Sequence, residues 1–306
     1  MSESLTYSSI DDEMLRRWPL PAPAADGDKE ERGRLLVIAG SGEMPGPAIL
    51  AATAALRAGV GKLTIATGAS IAPWVALAVP ESRVVPLPET NTGGIGREAD
   101  ETLHALVGKA DAVLIGPGMQ DEASICELVF ALLPKLGKVK LLLDASAMGV
   151  VRNSQYSSQS TAHSPAVLLT PHAGEMAHLS GLDKATVLAA PSAAARTAAR
   201  RWNAVVALKG SITFIATPEG RLLRHDGGNV GLAISGSGDA LAGIIAGLAA
   251  RGAPLEQAGA WGVALHARAG EKLALRLGPL GYLAREIAAE IPALMHGLTW
   301  HPASKP

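Results

Sequence analysis

The chain has 306 residues, 48% of them hydrophobic and only 3% aromatic, with a formal net charge of −1. A near-neutral balance with few aromatics argues against a nucleic-acid binder, which needs a basic face or stacking platforms. One cysteine, Cys126, excludes a disulfide framework and any multi-thiolate metal site, and suits a reducing cytoplasm. The polar, acidic start has neither a signal-peptide nor a transit-peptide pattern. No uninterrupted apolar run approaches the roughly 18 to 20 residues of a membrane span. A soluble cytoplasmic α/β enzyme is expected.

In chain order, residues 1–32 read as an N-terminal arm. Pro19, Pro21 and Pro23 keep it extended, and Leu15, Trp18 and Leu20 can anchor it to the body or to a neighbouring subunit. Residues 34–40 form an apolar strand, 41–46 a loop, 48–58 an alanine-rich helix with Pro47 in its first turn, and 62–67 a second strand. This βαβ unit implies a right-handed crossover. Further strands are expected at 83–87, 112–116, 139–144, 166–170 and 204–210, with a hairpin of 213–217 and 221–225. Residues 153–164 read as a polar surface segment and 184–202 as one helix. Helices then follow at 238–250, 255–277 and 283–295. The pattern predicts a three-layer α/β fold: one body of residues 33–298, a tail of 299–306, and a central, mostly parallel sheet flanked by helices.

In such sheets ligands bind at the carboxyl ends of the strands. That rule gathers Ser41 to Gly46, Gly116 to Gly118, Asp144, Thr170 to Glu175, Lys209 to Thr213 and Gly236-Ser-Gly-Asp239 along one edge. The last of these runs straight into a helix. Gly236 and Gly238 permit a sharp turn, and the helix start offers free N–H groups to an anion such as phosphate. Asp239 is either an ordinary first-turn acid or a general base beside a phosphoryl group. Asp144 either joins a polar site or caps a helix at Ala145. His172 either contacts a ligand or pins its own loop, and Glu175 reads as a helix cap. There is no Walker sequence, no Gly-x-Gly-x-x-Gly after the first strand and no nucleophile elbow, which disfavours P-loop, Rossmann and α/β-hydrolase readings.

Eight motifs occur in order: Gly33-Arg-Leu-Leu-Val-Ile-Ala-Gly-Ser41, Glu43-Met-Pro-Gly-Pro-Ala48, Leu56-Arg-Ala-Gly-Val-Gly-Lys-Leu63, Ile115-Gly-Pro-Gly118, Leu143-Asp-Ala145, Leu169-Thr-Pro-His-Ala-Gly-Glu175, Leu208-Lys-Gly210 and Gly236-Ser-Gly-Asp239. Together they resemble the ADP-dependent NAD(P)H-hydrate dehydratase family, over residues 33–294. The resemblance implies a ribokinase-like fold and repair of NADHX and NADPHX, the hydrated reduced nicotinamide cofactors. ADP, with ATP as an alternative, would phosphorylate the ring hydroxyl, and loss of phosphate would restore the double bond. By position, Asp239 would act on the hydroxyl, and Gly236, Ser237 and Gly238 would hold the phosphoryl group. Lys209, Gly210, Ser211, Ile212 and Thr213 would face the nucleotide, and Ala48, Gly118 and His172 would line the NAD(P)HX pocket with Asp239. Mg²⁺ would bridge phosphates, mainly through water and phosphate oxygens and with no protein metal ligand assigned.

The resemblance also suggests a homo-oligomer, with a tetramer as one form, and the arm as a subunit clasp. No epimerase half is expected in so short an arm. Ile234-Ser235 departs from the family's Thr-Gly, and Asp144-Ala-Ser146 from its Asp-Ala-Asp. Two other readings share the anion hole. One is a ribokinase-type kinase of a hydroxymethylpyrimidine, thiazole or sugar alcohol, and the other a non-catalytic nucleotide-binding regulator. Thr170 to Glu175 and Glu43 to Gly46 favour the dehydratase, and the retained Asp239 speaks against the regulator.

Overall fold

The computed structural model of the chain describes residues 6–22, 28–154, 156 and 166–299. Among these, ten strands form one sheet: β1 Ser8–Ser9, β2 Arg34–Ile38, β3 Lys62–Gly68, β4 Arg83–Leu87, β5 Ala112–Ile115, β6 Lys140–Leu143, β7 Val167–Leu169, β8 Val205–Leu208, β9 Ile212–Ala216 and β10 Leu222–Asp226. Their spatial order is β1-β10-β9-β8-β7-β6-β5-β2-β3-β4. Seven strands, from β8 to β4, run parallel, and β9 alone of the ten runs against them. The expected strands and hairpin are all present.

The central strands are apolar without interruption because both faces are covered. Leu35, Val37, Ala112, Leu114, Leu142, Leu168, Ala207 and Ile215 face one core. Their alternating neighbours Leu36, Ile38, Val113, Ile115, Leu141, Leu143, Val206 and Phe214 face the other. The first core is closed by α2 (Gly46–Arg57), α9 (Ser237–Ala250), α10 (Leu255–Leu277) and α11 (Ala284–Thr299). The second is closed by α4 (Asp100–Val107), α5 (Glu122–Leu136), α6 (Ala173–Ser180) and α8 (Pro191–Trp202).

Small residues set how α9 lies on α2. A Cβ on Gly243 would stand 2.1 Å from the Ala51 carbonyl oxygen, and one on Gly247 would stand 2.7 Å from that of Ala55. Both positions therefore accept only glycine at this separation. No described helix is long and apolar enough to cross a membrane.

Three expectations need correction. The helix expected over 184–202 is two, α7 (Lys184–Ala189) and α8. Ala190 leaves helical geometry at φ −142°, ψ 61°, because Pro191 after it has no N–H to continue the ladder. Helix α3 (Ala72–Ala78), between β3 and β4, was not expected, and α4 and α5 likewise fill stretches to which no element had been assigned. The arm is not merely extended. It carries β1, paired in parallel with β10, and α1 (Asp12–Arg17). Leu15 is fully buried, and the Trp18 carbonyl accepts from Gln257 Nε2 at 3.0 Å and Trp261 Nε1 at 2.9 Å. The arm thus docks on its own body, the first of the two anchorages expected for Leu15, Trp18 and Leu20. Of the polar segment 153–164, residue 155 and 157–164 lie outside the described residues, as does the tail beyond residue 299.

Candidate active site

Four carboxyl-edge elements converge. Asp144 follows β6, Thr170 to His172 follow β7, Lys209 follows β8, and Asp239 lies in the first turn of α9. Asp144 is 4% exposed. It stands at the start of a 3₁₀ segment, Ala145–Arg152, yet its side chain makes no capping bond. Instead Oδ1 accepts from Thr170 Oγ1 and lies 3.5 Å from Lys209 Nζ. The capping alternative for Asp144 is thereby set aside, and the polar-site alternative holds.

Lys209 is the centre of charge. Its ammonium also lies 3.7 Å from Glu175 Oε2, and a Cβ on Gly238 would be 3.5 Å from it. Its N–H donates to the Pro171 carbonyl at 2.8 Å, which ties the end of β8 to the turn after β7. Burial alone would lower its pKa, but Asp144, Glu175 and Asp239 outweigh that and hold it above the ordinary lysine value. Burial, with Asp144 nearby, pushes Asp239 up from 3.8 to about 6, while Lys209 restrains the rise. The site therefore holds a half-buried acid whose pKa lies close to neutral, a range suited to taking a proton and releasing it.

The helix start beside it is open. Gly236, at φ +87°, precedes α9 and offers no side-chain cap, so first-turn N–H groups remain available to an anion. His172 and Glu175 form a reciprocal cap on α6. The His172 Nδ1 accepts from the N–H groups of Gly174 at 3.0 Å and Glu175 at 3.1 Å, and Glu175 Oε2 accepts from His172 N at 2.7 Å. An accepting Nδ1 assigns the ring proton to Nε2, on a side chain that is 59% exposed. His172 thus pins its own loop and still presents a donor outward. A cavity of about 320 Å³ opens there, lined by Ala145, Ser146, His172, Glu175 and His178 among others.

The remaining expected residues are placed unequally. Gly210 and Ser211 form an exposed turn, and Ile212 and Thr213 open β9. Gly118 is buried at φ +66°, and a side chain on it would strike the Met44 carbonyl at 2.7 Å and Pro47 at 2.8 Å. It is packed under the loop before α2. Ala48 is fully buried in the core. Of Ala48, Gly118 and His172, only His172 presents an exposed side chain, and the other two lie where β2 and β5 end and the chain order of the sheet reverses. The edge shared by Asp144, Lys209 and Glu175 was expected, but their mutual pairing was not: Asp144 and Lys209 stand at the ends of β6 and β8, and Glu175 reaches Lys209 from the first turn of α6.

A family model for NAD(P)H-hydrate dehydratase matches residues 35–293. This chain belongs to that family. It is 48% identical to the ADP-dependent (S)-NAD(P)H-hydrate dehydratase of Xanthomonas campestris pv. campestris, over 93% of this chain and 94% of that one. The bifunctional NAD(P)H-hydrate repair enzyme of Moorella thermoacetica is 37% identical over 92% of this chain, which spans 53% of that protein. Among solved structures, the ADP/ATP-dependent NAD(P)H-hydrate dehydratase of Bacillus subtilis, co-crystallised with ATP and Mg²⁺, superposes with a TM-score of 0.81 at 27% identity. That match covers 96% of this chain and all of the other. A hydroxyethylthiazole kinase from Pyrococcus horikoshii shares the fold alone, at a TM-score of 0.52 and 17% identity.

Proposed function

We propose that this dehydratase-family member acts on (S)-NADHX and (S)-NADPHX, using ADP, to regenerate NADH and NADPH with release of AMP and phosphate. The observation that carries the reading is Asp239. It is a carboxylate tuned to about 6, in the first turn of an uncapped helix beside Lys209. Asp239 takes the proton of the ring hydroxyl. The hydroxyl oxygen bonds to the terminal phosphorus of ADP as the bond to the bridging oxygen breaks, and AMP departs. Gly236, Ser237 and Gly238 hold the transferred group, and Lys209 to Thr213 face the nucleotide. In the second step the ring C–O bond breaks with its electron pair going to phosphate. A proton lost from the adjacent ring carbon then restores the double bond. Phosphate leaves far more readily than hydroxide, which is the reason for a lyase to use a kinase's site.

Asp144, Glu175 and Asp239 outnumber Lys209, so an incoming diphosphate meets net negative charge. Among the described residues no group of three or more His, Cys, Asp or Glu could itself hold a metal. Asp144 and Asp239 would help hold a Mg²⁺ that arrives with the nucleotide and is bound mainly by phosphate oxygens and water. Bound in this way, Mg²⁺ would neutralise diphosphate charge. His172 would donate from Nε2 to the hydrated dinucleotide, with Ala48 and Gly118 shaping the loop beneath it. The same proposal has the enzyme act in the cytoplasm as a homo-oligomer.

The test is to incubate the protein with NADHX, ADP and Mg²⁺ and follow reduced-nicotinamide absorbance. ADP-dependent recovery, lowered about 10² to 10⁴-fold in Asp239→Ala with nucleotide binding retained, is expected. Consumption of nucleotide only with another alcohol would replace the reading by a kinase, and binding without turnover by a regulator.

A further inference from the structure

The anion turn carries no side-chain cap of its own, α2 packs against Gly236 on one side, and Ala240 N donates to the Gly236 carbonyl at 3.1 Å, which leaves Ser237 itself the least tied. Ser237 N reaches the Ile234 carbonyl at only 3.3 Å, and Ser237 stands between two glycines. A conventional N-cap side chain would occupy the space an anion needs. Support comes from behind. His266 lies midway along α10, among the buried Ala264, Leu265, Ala267 and Ala269. Its Nε2 stands 3.0 Å from Ser237 Oγ and 3.1 Å from the Ser237 carbonyl oxygen. Both residues are buried, at 9% and 5% exposure.

Burial, with a contribution from the Lys209 ammonium, draws the His266 pKa down to about 4, so the ring is neutral and carries one proton. A carbonyl oxygen only accepts. A proton on Nδ1 would leave the Nε2 lone pair facing that carbonyl, whereas a proton on Nε2 can be shared between the two Ser237 oxygens.

We infer that His266 is a positioning residue: its Nε2–H donates to both oxygens of Ser237 and fixes the Gly236–Asp239 turn from the rear, leaving its front open to the phosphoryl group. This rests on the phosphoryl-transfer reading above. The consequence is that α10 adds a rear support at Ser237 to the one α2 gives Gly236, and that Asp239, two residues on, takes part of its position from that contact.

The test uses His266→Leu, which fills the space without a donor, and His266→Gln, whose amide restores one. With the turn loosened, His266→Leu should lose about 10²-fold in kcat, the scale of a misplaced reacting group, with KM for the dinucleotide little changed. His266→Gln should recover most of that loss. ADP should also lose its binding advantage over adenosine in His266→Leu and keep it in His266→Gln. Nitrogen-15 NMR of the wild type should find His266 neutral and protonated at Nε2, a readout that does not depend on any variant folding. A proton on Nδ1, a His266→Leu enzyme with unaltered kcat, or a glutamine variant no better than leucine would overturn the inference. The ADP-to-adenosine ratio and the tautomer judge it even if the wild type fails to turn over NADHX, which would instead remove the proposed reaction.

Discussion

Asp239 should weaken the fold it serves, and Asp239→Asn measures by how much. In the unfolded chain its carboxyl titrates near 3.8, and in the folded protein near 6. Below both values the group is protonated in either state and the difference vanishes. Between them the folded state alone holds the proton. Above about 6 the carboxylate is ionised in both states, and the folded state bears the full penalty of burying it beside Asp144. A shift of about two units corresponds to about 3 kcal/mol. At a partly exposed site solvent screening leaves about half, or about 1.5 kcal/mol. Asparagine mimics the protonated form at every pH. Asp239→Asn should therefore match the wild type near pH 3, gain stability from about pH 4 to 6, and stay about 1.5 kcal/mol more stable up to pH 8. Urea denaturation across that range reads it directly, and in melting the gain is about 2 °C for a chain of this size. A variant advantage that is constant with pH, or largest at pH 4, would refute the electrostatic account.

The acid limb of the kcat profile should lie near pH 6 in the wild type, and two neighbours should move it oppositely: Asp144→Asn to lower pH, because Asp144 raises Asp239, and Lys209→Met to higher pH, because Lys209 lowers it. Lys209→Met should also destabilise the fold at pH 7 by about 3 kcal/mol, since it leaves the buried Asp144 unpaired, as chemical denaturation would report. Gly243→Val should lower stability by about 3 kcal/mol or prevent folding, because its Cβ would meet the Ala51 carbonyl at 2.1 Å. Gly297→Ala, with nothing within 4 Å, should raise stability by about 0.5 kcal/mol. His172→Ala should lose about 1 kcal/mol of helix capping and raise KM for NADHX, whereas His172→Asn keeps a capping acceptor and should raise KM alone.

Much of the frame was legible because parallel strands covered on both faces write themselves as apolar runs, as at Leu35 to Ile38 and Leu141 to Leu143. Their ends are then points where charged residues stand out. Asp239 and the glycines around it were legible for the same reason: a turn that steep admits few residue types. The pairings across the edge were not. Nothing in the order of residues says that Asp144 turns from Ala145 to Thr170 and Lys209, or that Glu175 does double duty as cap and counter-ion. Those choices depend on which strands are neighbours. The break at Ala190 was hidden because Pro191 is also a good first helical residue. His266 carried no signal in the sequence, since a histidine on an apolar helix has no visible partner until α9 is laid across it.

The tight seam between α2 and α9 bears on the chemistry as well as on packing. The loop before α2 covers Gly118 and belongs to the edge where β2 and β5 end, while the start of α9 carries Gly236 and Asp239. Gly243 and Gly247 hold α9 against the carbonyls of Ala51 and Ala55 at distances that leave no room for sliding. Leu50 of α2, in turn, stands where a side chain on Gly236 would lie, at 2.5 Å from its Cβ position. The two edges therefore cannot shift independently. Moving the Gly236–Asp239 turn by one ångström would drive α9 into α2, and under the proposed reaction a misplacement of that scale would cost a transferring group about 10²-fold in rate. Under the reaction proposed above, the alanine and glycine content of these helices would thus be the means of keeping a hydroxyl on one side of the edge and a phosphorus on the other at a fixed separation.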